Sequence, residues 1–192
     1  MHLILSTPKP INATYRDADS GVVRYKVKTP IKVHDLTTTI SRLIDSDVPR
    51  REQGDSNTEA DSGRFGLLAQ IAWYMVGPPT VIRFGGREIA PATFFQKENA
   101  TWYSPGDRIF TAQDGKEYRW CLTAYTTRLK TNDASATLIA EYRAKSLGLL
   151  SKARDPSLQI FPEFAHMVDE IMVTFIYVEK LRKSHIDGNT QL

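Results

Sequence analysis

A mainly β chain ending in one enclosed helix is predicted by three features of this sequence: strand-like alternation over its first four fifths, turn signals at short intervals, and a helix-length apolar segment near its end. The 192 residues make one domain by size. A chain this long removes roughly 70% of its unfolded surface from water, so its core needs neither disulfide nor metal. With 41% hydrophobic and 24% charged residues, the composition is globular and excludes an overall disordered, collagenous or coiled-coil chain.

The first strand is expected where Val23, Tyr25, Val27 and Thr29 alternate with Arg24, Lys26 and Lys28, after a turn at Asp19-Ser20-Gly21. Residues 32–44 follow, and the β-branched run Thr37-Thr38-Thr39-Ile40 favours a pleated surface. Residues 45–63 carry six acids against two arginines and one large apolar side chain, too little apolar area to offset ordering entropy, so they read as a mobile loop inside the domain. Residues 65–76 alternate again, with Leu67, Ala69, Ile71, Trp73 and Met75 expected on one face, and Gly77-Pro78-Pro79 ends them.

Two hairpins come next. Gly85-Gly86 separates Val81-Ile82-Arg83-Phe84 from Arg87-Glu88-Ile89, and two glycines supply the positive φ angles of a two-residue turn. Asp114-Gly115 turns residues 107–111 back onto 116–122, placing Tyr118, Trp120 and Leu122 on one face. Residues 137–143 alternate once more, and short strands between turns indicate a meander closing into a barrel or a sandwich. From Pro162-Glu163 the character changes. Proline suits a first helical turn and Glu163 the positive end of the helix dipole. Between Ile171 and Val178 only Thr174 interrupts the apolar surface, and a helix apolar on all sides must be enclosed. Lys180, Arg182 and Lys183 are expected in its last turn, with Gly188 soon after.

Positive charge exceeds negative by 25 residues to 22, and the pI is near 8.9. No motif gathers this excess as a nucleic-acid binder would. The N-terminal residues are too sparsely apolar for a secretory signal, and the run from Ile171 to Val178 is far shorter than a membrane span. A cytoplasmic protein without a transmembrane segment is therefore expected, with the sequons at Asn12 and Asn99 unused and the single cysteine, Cys121, reduced.

Several segments carry a resemblance in combination: Met1-His2-Leu3, Thr37-Thr38-Thr39-Ile40-Ser41, Ile82-Arg83-Phe84-Gly85-Gly86-Arg87, Asp114-Gly115-Lys116-Glu117-Tyr118-Arg119-Trp120, Lys145-Ser146-Leu147-Gly148-Leu149-Leu150, and His166 through Lys183. Together they resemble a family of uncharacterised fungal domains, similar in fold to the tubby C-terminal, LURP-one-related and phospholipid scramblase group. The resemblance implies a closed antiparallel β-barrel of the tubby C-terminal-like type around a buried hydrophobic C-terminal α-helix, as a single domain over residues 1–192. Tubby domains bind phosphoinositide headgroups through basic surface side chains. By that likeness an anionic phospholipid surface is the expected partner, with a protein-interaction or scaffold domain without lipid affinity as the alternative.

Catalytic patterns are absent from the sequence. His2, His34, His166 and His185 form no ligand spacing, Asp169 and Glu170 are adjacent and diverge, and Cys121 has no histidine in sequence to activate it. No enzyme and no cofactor is expected. His166 and Asp169, three apart, read as a helix-entry hydrogen bond. Arg143, Lys145, Lys152 and Arg154 gather charge around the apolar run 147–150, and Arg83 and Arg87 bracket the Gly85-Gly86 turn; these six are the candidate headgroup ligands. Trp102 and Tyr103 are expected as a lid on the rim.

Overall fold

The computed structural model describes residues 1–30, 36–45, 63–74, 80–101, 104–124, 126–146 and 153–189. Residues 46–62 of the expected acidic loop, Met75, the Gly77-Pro78-Pro79 stop, Trp102, Tyr103, the apolar run 147–150 and Lys152 lie outside them. Among the described residues the chain forms thirteen strands in one antiparallel sheet. In chain order they are β1 (His2–Leu5), β2 (Ala13–Asp17), β3 (Val23–Lys28), β4 (Leu36–Asp45), β5 (Arg64–Trp73), β6 (Val81–Phe84), β7 (Arg87–Ile89), β8 (Gln96–Glu98), β9 (Asp107–Thr111), β10 (Glu117–Leu122), β11 (Thr127–Thr131), β12 (Leu138–Arg143) and β13 (Ser157–Ile160). A short helix α1 (Pro91–Phe94) joins β7 to β8, and a 3-10 segment, Pro162–Met167, leads into α2 (Val168–Asn189).

The order across the sheet is β7-β6-β5-β4-β3-β2-β1-β13-β12-β11-β10-β9-β8. Two meanders thus meet where β1 pairs with β13, and the Met1 ammonium donates to the Ile160 carbonyl at 2.8 Å across that seam. The edges β7 and β8 are neighbours in sequence. Laid flat, thirteen strands would hold them about 58 Å apart. The link from Ile89 to Gln96 reaches at most about 25 Å, so the sheet must curl.

Helix α2 lies in the hollow of that curl. Ile171, Met172, Phe175, Ile176 and Val178 have no exposed surface, which is what an all-round apolar segment requires. Phe175 meets Trp120 of β10 and Tyr142 of β12, while the Trp120 indole donates to the Thr174 hydroxyl at 3.1 Å. On the other side, the Tyr25 hydroxyl of β3 and the Arg42 guanidinium of β4 bind the two oxygens of Asp169.

Four expectations need correction. Closure by hydrogen bonds is not found: no ladder joins β7 to β8 among the described residues, because the connecting chain turns through α1 instead of running alongside. An aromatic stack spans the gap, with Tyr177 of α2 lying between Phe95 (5.0 Å) and Trp73 (5.7 Å). Leu67 is 65% exposed rather than inward, because Ile40 faces Ala69 while Ser41 faces Leu67; the extra residue, Leu68, makes a bulge that reverses the faces of β5. Helix α2 runs through Gly188, so Lys180, Arg182 and Lys183 fall well before its last turn, and Arg182 is buried. His166 makes no bond with Asp169, whose oxygens go to Tyr25 and Arg42.

Candidate functional site at the helix-entry end

Sequence creates a gap at one place in the sheet. Strand β8 pairs with β9 only from Glu98↔Asp107 to Gln96↔Ile109, while β9 continues through Phe110 and Thr111. Beyond Ile109 the chain before β8 is α1, so the upper part of β9 and the edge of β7 flank an unfilled groove of ≈ 410 Å³. Phe84, Ile89 and Phe94 form its apolar wall; Arg87, Thr93, Thr111, Gln113 and Glu170 supply polar groups. A second hollow of ≈ 200 Å³ shares Phe84, Gln113 and Glu170 and adds Asp114, His166 and Asp169.

Two turns shape this end. Gly85 and Gly86 have φ of 59° and 73°, the left-handed values a two-residue hairpin loop imposes. The β9–β10 turn is fixed by the Asp114 carboxylate, which accepts the Lys116 amide at 3.0 Å and the Tyr118 hydroxyl at 2.7 Å. That turn aims the Gln113 amide at Oε2 of Glu170, 3.2 Å away. Glu170 is only 8% exposed, and its Oε1 has no hydrogen bond among the described residues. Burial pushes its carboxyl above the usual range. The Gln113 amide and Arg87 pull against that shift, and Asp114 adds to it.

Glu179, nine residues along the same helix, marks the opposite end. It is fully buried, clasped in a fork by Arg182 (Nε to Oε2 2.8 Å, Nη2 to Oε1 2.7 Å), and accepts the Thr127 hydroxyl at 2.8 Å. Arg182 also donates to the Ala124 carbonyl at 2.7 Å.

These landmarks place the six sequence-predicted basic residues. Arg83 and Arg87 sit at the helix-entry end, where Arg83 pairs with Glu88 at 2.7 Å and Arg87 lines the groove. Arg143 follows Tyr142, whose partner across the sheet is Thr127, so it lies toward the Glu179 end and bonds Glu141 at 2.8 Å. Lys145 is exposed in the same quarter. Arg154 bridges to Ser146 there, with its guanidinium 3.4 Å from the Ala144 carbonyl. The structure therefore groups Arg143, Lys145 and Arg154, and separates Arg143 on β12 from Arg83 on β6 by seven steps across the sheet in one direction and by four steps and the open gap in the other.

Sequence reasoning did not single out Glu170 as a ligand, nor Leu67 and Ile44, which are 65% and 62% exposed on the two arms of the β4–β5 hairpin. A trough of ≈ 400 Å³ runs beside Leu67 to Arg83, Gly85, Gly86 and Arg87. Only the bulge exposes Leu67, and no local pattern announces it. Cys121 is half-buried, and burial raises its thiol pKa, away from the thiolate form. No cluster of metal-ligating side chains is found among the described residues, nor is any of their helices long and apolar enough to cross a membrane.

No curated protein and no solved structure matches the chain. Residues 8–184 match the model of a family of unknown function, DUF6593, and the chain belongs to that family.

Proposed function

We propose that this chain is a non-catalytic binding module of the tubby-like type, a curled sheet around a buried helix that acts as a closed barrel, and that its helix-entry rim docks on anionic phospholipid at a cytoplasmic membrane surface. The observation that carries this reading is the trough that sets exposed Leu67 beside the cationic side chains Arg83 and Arg87. Apolar side chains entering the headgroup layer and basic groups meeting lipid phosphate are the two contributions that hold peripheral proteins to membranes, at about 1 kcal/mol per basic group. At the other end, Arg143 and Arg128 share the Glu141 carboxylate, which leaves Lys145 and Arg154 as the cations to compare.

Sedimentation with vesicles of graded phosphatidylserine and phosphoinositide content tests the reading. Salt-sensitive binding is expected, weakened by Leu67→Gln and by the double change Arg83→Ala and Arg87→Ala. A loss confined to the Lys145→Ala and Arg154→Ala variant would move the site to the opposite end. No binding at low salt would leave a protein-interaction domain as the better account.

A further inference from the structure

The groove at the sheet edges holds two opposite charges that the fold uses only in part. Glu170 lines it with one oxygen bonded to the Gln113 amide and the other open to the groove, and the exposed Arg87 makes no ion pair among the described residues. Had these groups served folding alone, the pattern at Glu179 would be expected, where every oxygen is matched. A carboxylate oxygen that opens on a groove without a protein donor favours a ligand that brings N–H groups, and an exposed guanidinium lining the same groove favours an anion.

We propose that this groove binds a small zwitterion, its ammonium on Glu170 and its phosphate on Arg87, the chemistry of a phosphoethanolamine head. The inference deepens the membrane reading and rests on it for the lipid source, though not for the site. The remaining charged groups are compatible. Glu88 is held by Arg83 and Asp169 by Arg42, while Asp114 is bonded to Tyr118 and His166 stands exposed beside it. Phe84 and Phe94 wall the groove against the head's methylenes, and ≈ 410 Å³ is ample for a ligand of this size.

The test is titration of the full chain with O-phosphoethanolamine, followed by the Gln113 amide resonance, which reports on Glu170 directly. Saturable binding is expected, at least tenfold weaker in Glu170→Gln and in Arg87→Ala; Arg87 is exposed, so its variant keeps the fold. Phosphocholine, which has no ammonium N–H to donate, should bind less well than phosphoethanolamine. A flat titration, or equal affinity in both variants, overturns the proposal. Vesicles of phosphatidylcholine with and without phosphatidylethanolamine then identify the source. A gain on adding phosphatidylethanolamine supports a lipid head, and no gain together with tight soluble binding supports a free phosphoamine. Leu67→Gln separates the two readings, since it should release the protein from vesicles while leaving the soluble titration unchanged.

Discussion

Glu170 and Glu179 are the same residue on the same helix, both enclosed by the sheet, yet they are treated in opposite ways. Glu179 is matched by a bidentate guanidinium and a hydroxyl, while Glu170 receives one backbone amide and faces a groove. The difference follows from what surrounds them. Around Glu179 the sheet is continuous, and β11 supplies Thr127. Around Glu170 the sheet is interrupted between β7 and β9, and no strand is present to offer a partner. A buried charge that is completed belongs to the fold; one left incomplete beside a cavity is open to a ligand.

The largest expected effect tests the enclosure both residues share. Phe175→Asp places an unpaired carboxylate where no surface is exposed, at a cost of several kcal/mol, and should abolish cooperative unfolding monitored by circular dichroism. A soluble mutant with a sharp melting transition would refute the enclosed helix. Next, Arg182→Ala strips Glu179 of its guanidinium and should destabilise by about 3–5 kcal/mol in urea titration. Thr127→Val removes one hydrogen bond to the same carboxylate and should cost about 1.5–3 kcal/mol.

Glu170→Gln should have the opposite sign, raising the midpoint by up to about 1 kcal/mol at neutral pH, because an amide escapes the charge burial. The pH dependence follows from the direction of the shift. Burial raises the folded-state pKa, so between the unfolded and folded values the native state binds more protons, and stability falls as pH rises through that window. The advantage of Glu170→Gln should therefore be small below the ordinary glutamate range and reach its full size above the folded pKa. An advantage independent of pH would show that Glu170 is not a desolvated carboxyl.

Much of the architecture was legible in the residues. The hairpin at Gly85-Gly86, the turn at Asp114-Gly115, the shared face of Tyr118, Trp120 and Leu122, and the enclosed segment from Ile171 to Val178 all stand as the periodicity and turn chemistry require. Strands β1, β2, β8, β11 and β13 were not legible; the longest has five residues, and a few alternating residues do not outweigh loop composition. Their partners decide them: β1 exists because β13, more than 150 residues away, supplies its second ladder.

The candidate site was less legible still. The two arginines bracketing the glycine turn were visible, but the glutamate that shares the groove with Arg87 was not, since Glu170 sits beside Asp169 as an ordinary acidic helix start. By itself the sequence determined a β-rich domain with a helix inside it, because apolar periodicity and turn residues act over a few neighbours and write themselves into short segments. Only the tertiary structure decided that the sheet curls without joining its edges, that a bulge turns Leu67 outward, and that Glu170 meets Gln113 and shares the gap with Arg87. Those outcomes depend on strand pairings and close approaches between residues distant in the chain.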